Sequence, residues 1–444
     1  MKKYINIKIL LVLVLMVTGV ACETNFDNPN APTDQQTYSS REGILAATVG
    51  MQQLYSTTGL RWIIETPAVT TREAAITTTF QNMIELEDGG TELPNFNSNV
   101  EGLWRTMLRV IKVAEDIEAN VPNLELEAGT ESGLVAYAKL YKAMAIGSLS
   151  QNYTDVVIQT NQENNANFVP RMEGFAAAIS LLNEAASLIS STPVSAEFNS
   201  AITQGNIDLK NTIQAMLARY NLFAGNYDAA ITAAKSVDQS STSMFLYDSQ
   251  NLNPIWSRVY QNAAPNFKPR DNFGLPEGLK PEENDGRKEF YLIPLDTVNQ
   301  NGLPIENLAG FFDVSTEPIP VYLPDEMDLI IAEANLRKSS PDIAAATEAL
   351  NRVLTDDTDP LEVDAELDGY SGPAEVDALL DEIYTNRRAE LFLTGMSLED
   401  SRRFNRPEPS GAARNYDEER NRNFYPFPES ERNSNPNTPA DPAI

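Results

Sequence analysis

Between Asn211 and Val237 the chain reads NTIQAMLARYNLFAGNYDAAITAAKSV, and this stretch narrows the folds open to it more than any other. Ile213, Met216, Leu217, Tyr220 and Phe223 recur near every 3.6 residues, so they line one face of a helix. Ala224-Gly225-Asn226 makes a turn, and Gly225 suits the positive φ that often ends a helix. Tyr227, Ala230, Ile231 and Ala234 line a second, shorter helix. Small side chains at Ala218, Ala230 and Ala234 let two helices approach closely. A hairpin this short cannot bury its apolar face alone, so it predicts neighbours of the same kind stacked beside it.

Similar periodicity surrounds it. Helices are predicted over Ser40–Tyr55, Val100–Ala119, Leu134–Tyr153 and Met172–Ile189. The hairpin has the look of a tetratricopeptide-type unit. A second hairpin of similar size is predicted from Pro324–Lys338 and Asp342–Leu354, followed by helices over Val376–Phe392 and Ser397–Phe404. Trp62–Phe80 reads as helix or extended loop. Glu85–Asn99, with Gly89-Gly90 and Pro94, reads as a loop, and Phe424–Ile444 as a proline-rich extended tail. Residues 239–320 lack a long helical period. They carry Pro254, Pro265, Pro269, Pro276, Pro281, Pro294 and Pro304 among many aromatics. Such aromatic content argues against disorder, so this part reads as an irregular lobe of short strands and turns packed on the helices. The fold class is mostly α: a tetratricopeptide-like scaffold of helical pairs with a loop-rich lobe. The expected divisions are 40–237 for the first scaffold part, 238–320 for the lobe, and 321–444 for the second scaffold part and tail.

The composition excludes several kinds of chemistry. The 444 residues contain no histidine and one cysteine, which rules out Ser-His-Asp and Cys-His triads, histidine metal sites and an internal disulfide. With 63 acidic against 33 basic side chains the net charge is −30, which disfavours nucleic acid as the main partner. Carboxylate chemistry survives this filter, as calcium binding or a two-carboxylate hydrolase. Asp356, Asp357, Asp359, Glu362, Asp364, Glu366 and Asp368 form an acidic run without EF-hand spacing, and it reads as a solvated loop. Neither a metal nor a cofactor is expected.

Lys2, Lys3 and Lys8 precede an apolar run from Ile9 to Val17 and the smaller Thr18-Gly19-Val20-Ala21. This is the pattern of a signal peptide over 1–21. Cys22 stands where that signal ends and resembles a lipobox cysteine. It would carry a lipid, with 22–39 as a polar tether. The alternative is a secreted chain with an incidental free thiol.

The last third carries the clearest resemblance. Asn386-Arg387-Arg388-Ala389-Glu390-Leu391, then Gly395, then Leu398-Glu399-Asp400-Ser401-Arg402-Arg403 resembles the charged C-terminal segment of the SusD/RagB family. Tyr425-Pro426-Phe427-Pro428, with Asn435-Pro436-Asn437, resembles that family's terminal signature. The resemblance spans nearly the whole chain. It implies a scaffold of four tetratricopeptide-like helix pairs with a variable lobe, and a role without catalysis. The implied protein is an outer-membrane, lipid-anchored nutrient binder facing the cell exterior. It would take up oligosaccharides or peptides and deliver them to a SusC-like TonB-dependent transporter.

Arg387, Arg388, Glu390, Asp400, Arg402 and Arg403 match the family's charged motif. Their chemistry suits structural ion pairs that hold the last helices on the scaffold. Sugar recognition asks for flat apolar rings with planar polar companions. Trp104 lies in a periodic helix and reads as core. Trp256 and Tyr260 in the lobe are the first ligand-binding candidates. Trp62 and Phe96 come next, with Asn97 and Asn99 as polar companions. The competing reading makes the lobe aromatics its own small core. Two other functions stay open: a carboxylate-pair glycoside hydrolase, and a structural or assembly lipoprotein on a helical-repeat scaffold.

Overall fold

A computed structural model describes residues 37–161 and 163–444. The signal peptide, Cys22 and the tether up to residue 36 lie outside them. Helix α1 (Arg41–Leu54) passes through one π-helical turn, Tyr55–Gly59, into α2 (Leu60–Thr70). The Trp62–Phe80 segment is therefore helical at first and ends in strand β1 (Ala74–Ile76). Helix α3 (Gln81–Asp88) occupies part of the stretch expected to be a loop. Met83 and Leu86 are its only fully buried large apolar side chains, with Ile84 partly buried beside them, so the helical period is too short to read in the sequence. Gly89, at φ 61°, then ends it.

The long helices come next: α4 (Ser98–Asn120), α5 (Ala128–Asn152) and α6 (Arg171–Ser191), with strands β2 (Asp155–Val157) and β3 (Phe168–Pro170) paired between the last two. The central hairpin is α7 (Leu209–Phe223) and α8 (Tyr227–Ala234), turning at Gly225 with φ 76°. Its five predicted face residues on α7 are all buried, and so are Ala218, Ala230 and Ala234. Asp208 caps α7, accepting from the Asn211 backbone N–H at 3.0 Å and from the Ser241 hydroxyl at 2.9 Å. Asp208→Ala removes a cap and a lobe contact together. It is expected to lower stability by about 1–2 kcal/mol, read as a lower urea midpoint with an unchanged slope.

The lobe opens with β4 (Met244–Phe245) and closes with β8 (Ile319–Pro320), and the two pair antiparallel, so its ends lie side by side. Between them lie α9 (Pro254–Val259), β5 (Phe267–Pro269), α10 (Gly286–Tyr291) and the hairpin β6 (Leu292–Val298) with β7 (Pro304–Leu308). Strand β5 pairs with β1, which stitches the lobe to the first scaffold part. One apolar core runs without a break from the scaffold helices into the lobe aromatics Phe273, Tyr291, Phe311 and Phe312.

The second scaffold part contains α11 (Asp325–Arg337), α12 (Ile343–Leu354), α13 (Val376–Glu390) and α14 (Ser397–Arg403). Two expectations need correction here. The acidic run is not simply solvated: Val363, Ala365 and Leu367 alternate with its acids and are buried, and Asp359 is buried with them. The tail is not extended throughout. It forms α15 (Glu429–Ser434), and Tyr425 and Phe427 are fully buried.

Candidate functional site

The predicted ligand residues lie where α2, α3, α4 and α9 meet. Arg258 on α9 pins this junction. It donates Nε and Nη2 to the Glu65 carboxylate of α2 at 2.5 and 3.0 Å, and Nη2 reaches the Met83 sulfur of α3 at 3.8 Å. Glu65 is fully buried, so this bidentate pair fixes how the lobe sits on the scaffold. Asn253 caps α9, accepting from the backbone N–H groups of Ile255 and Trp256, and its amide donates to the carbonyls of Phe311 and Glu317. Trp256 is thereby held on a rigid turn. It is half-buried and stands outside the main apolar cluster. Tyr260 is different: its ring packs on that cluster and its hydroxyl donates to the Leu308 carbonyl. Burial raises its pKa. Tyr260 joins α9 to β7 and presents little to a ligand.

Trp62 is sandwiched. One face of its indole lies on Gly102 of α4, where an added Cβ would come within 2.5 Å of the ring, and the Arg61 guanidinium lies 3.9 Å from its centroid. Gly102 is required here by the close approach. Trp62 therefore offers an edge, with Arg61 as a movable cover. Burial lowers the Arg61 pKa, partly offset by Glu65.

Phe96 is 60% exposed. Asn97 and Asn99 beside it are buried and are not free to meet a ligand. The Asn97 side chain caps α4 through the Asn99 backbone N–H at 2.9 Å, and its amide donates to the Asn82 carbonyl and to Glu85, each at 2.9 Å. Asn99 donates to the Asn82 carbonyl at 3.0 Å. They read as ligand companions in the sequence because Asn82, their partner, lies 15 residues or more away. The same bonds tie the start of α3 to the start of α4. They bring Phe80, which sequence reasoning missed, to the same end of the scaffold as Phe96. Phe80 is 58% exposed. Its signal was an aromatic just ahead of a polar helix start, outside any apolar period. The candidate site is thus two exposed phenyl rings at the linked starts of α3 and α4, with the covered Trp62 packed on α4 and Trp256 on α9, which Arg258 ties to α2 and α3. Such a surface can stack on the flat apolar face of a ring and hydrogen-bond around it.

The charged C-terminal residues lie elsewhere: Arg387, Arg388, Glu390 and Asp400 are buried, and Arg402 and Arg403 are partly buried. Arg387 pairs with Asp400 at 2.9 Å and lies 3.9 Å from Glu333. Arg403 pairs with Glu333 at 2.7 Å and Asp400 at 2.8 Å. Arg388 lies 3.5 Å from Glu73 and donates to the carbonyls of Thr71 and Phe273, so it joins α13 to both the first scaffold part and the lobe. Glu390 faces Arg287 at 3.4 Å, and Arg402 pairs with Glu399 and donates to the carbonyls of Gln151 and Asn423. These six side chains hold elements together, and none is on the aromatic surface.

Neither a family model nor a curated protein matches the sequence. Solved structures do match its shape. A SusD superfamily protein from Parabacteroides distasonis is 15% identical with a TM-score of 0.69, covering 93% of this chain and 100% of that one. A SusD superfamily protein from Bacteroides thetaiotaomicron is 16% identical with a TM-score of 0.67, covering 90% and 99%. A SusD-like carbohydrate binding protein from Bacteroides fragilis is 13% identical with a TM-score of 0.67, again covering 90% and 99%. The likeness extends over nearly the whole of each chain, helical scaffold and lobe together.

Proposed function

We propose that this chain, which has the SusD-like fold, is a non-catalytic binder of oligosaccharides that works at the bacterial surface. The carrying observation is the pair of exposed rings, Phe80 and Phe96, held at one end of a rigid helical scaffold by the Asn82–Asn97–Asn99 bonds. Exposed aromatic rings are costly in water unless something covers them, and a pyranose ring fits that surface. One solved structure of the same fold is described as a carbohydrate binding protein, which supports the ligand class. The signal pattern with Cys22 supports anchoring by lipid to the outer membrane, facing outwards. From there the chain would pass its ligand to a SusC-like TonB-dependent transporter, whose energy drives import.

Calorimetry of the full chain against a panel of glycans and peptides tests this reading. Phe80→Ala and Phe96→Ala each remove an exposed ring without touching the core. Each is expected to weaken glycan binding by about tenfold, with Trp256→Ala giving a similar or smaller loss. Binding of peptides alone would move the ligand class. Glycan binding unchanged in all three variants would place the site elsewhere. Sustained turnover of a bound glycan would make the protein a hydrolase instead.

A further inference from the structure

The acidic run has a partner that the sequence did not reveal. Asp325, the first residue of α11, comes together with Asp356 and Asp359 of the 355–374 loop, and one carboxylate oxygen from each lies within 4.8 Å of the others. Asp325 and Asp359 are each only 6% exposed. The Oδ2 atom of each is buried and makes no hydrogen bond. An unpaired carboxylate oxygen is costly to bury, and two beside each other more so.

The charged groups around the cluster leave it uncompensated. Arg352 on α12 faces it but is committed to Asp328 at 2.5 Å and Glu348 at 3.3 Å. Arg287 on α10 is committed to Asp285 at 2.8 Å and Glu390 at 3.4 Å. Glu390 on α13 adds a further negative charge from behind, and its own Oε1 is unpaired. Among the described residues, no lysine or arginine forms an ion pair with any of the three aspartates. Burial, followed by repulsion from neighbouring carboxylates, raises the pKa of Asp325, and burial pushes Asp359 up to about 6.

We propose that Asp325, Asp356 and Asp359 bind a calcium ion that pins the 355–374 loop to the start of α11. The donors are all hard oxygens, which favours a hard divalent cation over a transition metal. Three carboxylate oxygens within 4.8 Å of one another can all reach one cation, and magnesium, which demands near-ideal octahedral geometry, suits a loop-built set of donors less well than calcium. Ser240 and Thr358 hydroxyls line the same open pocket and can complete an irregular shell with water. An irregular loop that supplies two of three carboxylates suits calcium's tolerance of geometry. The ion would neutralise the buried charge and clamp the connection between α12 and α13. No aromatic side chain lines this pocket among the described residues, so it lacks the platform a glycosidase subsite would need.

The test is a titration of the EDTA-stripped full chain with calcium chloride, and separately magnesium chloride, read by calorimetry and thermal unfolding. Calcium is expected to bind with one-site heat and to raise the melting temperature by about 3 °C at roughly a hundredfold excess over Kd. Magnesium is expected to act at least tenfold more weakly. Asp359→Asn removes one buried charge at constant shape. It is expected to raise the melting temperature of the stripped protein and abolish the calcium-induced rise. Asp356→Asn, at the half-exposed position, provides a second variant whose folding is not at risk, and it should weaken binding by about tenfold. No calcium-dependent heat or shift in the unaltered chain would overturn the proposal. So would a shift that both variants retain.

Discussion

Replacing Arg387 by alanine is expected to cost about 2–4 kcal/mol, because it removes one of the arginines that neutralise two buried carboxylates and leaves Asp400 to Arg403 alone. Arg387 is fully buried between Asp400 and Glu333, themselves almost inaccessible to water. Glu333 shows how strongly this network favours charge. Burial alone would raise its pKa, but the Arg403 guanidinium, helped by Arg337 and Arg387, outweighs burial and holds it at about 2. A carboxyl held below its ordinary value of about 4.3 stabilises the fold at neutral pH. That contribution is lost as pH falls through the window from about 4.5 to about 2, and it amounts to about 3 kcal/mol at most. The urea midpoint of the unaltered chain should therefore fall steeply across that window. Glu333→Gln lowers stability at neutral pH, and its difference from the unaltered chain should shrink towards zero near pH 2. A difference independent of pH would show that Glu333 contributes packing rather than charge. Glu73 pulls the other way: burial raises it to about 7 despite Arg388, so its contribution fades as pH rises through 7.

The parts of this fold legible in the sequence are those where helical period and burial coincide over three turns or more. Helices α4, α5, α6, α7, α11 and α12 all meet that condition, and the shorter α8 was legible through the Gly225 turn that joins it to α7. Helix α3 does not, since two turns with Met83 and Leu86 inside carry too little period. The 355–374 loop held a signal that was outvoted. Val363, Ala365 and Leu367 alternate with acids at a spacing of two, the mark of a chain with one face buried, but the charge count dominated the reading. For the candidate site, residue type picked out side chains that the fold brings near one another, but it did not show which of them are already engaged by the protein itself. Phe96 and Trp256 stand where a ligand could reach them, while Asn97 and Asn99 are consumed by capping and by Asn82, and Tyr260 by the Leu308 carbonyl. A polar side chain beside an exposed ring looks the same in sequence whether it faces solvent or a partner from another helix. Nor could the sequence show that Asp325 and Asp359, 34 residues apart, share one pocket.

Trp104→Ala is expected to cost about 3–5 kcal/mol and to loosen the C-terminal tail. Trp104 is 2% exposed on α4, and its ring meets three others: Tyr153 at 4.8 Å, Phe168 at 5.5 Å in a stack tilted by 10°, and Phe427 at 5.8 Å edge-on. Its indole N–H donates to Glu431 of α15 at 3.1 Å. The indole is thus the point at which the tail, through Phe427 and Glu431, is fastened to a scaffold helix more than 300 residues away in sequence. Alanine leaves a cavity among three rings, and it removes one of the aromatic contacts that hold Phe427 of the tail. Trp104→Phe keeps most of the stacking and loses the bond to Glu431, so about 1–2 kcal/mol is expected. Limited proteolysis separates local from global effects. If Trp104 fastens the tail, Trp104→Ala should be cut after Phe424 well before the scaffold opens, and Trp104→Phe should be cut at an intermediate rate. Cutting that begins instead within α4 or α5 would mean that Trp104 supports the scaffold core first and the tail only through it.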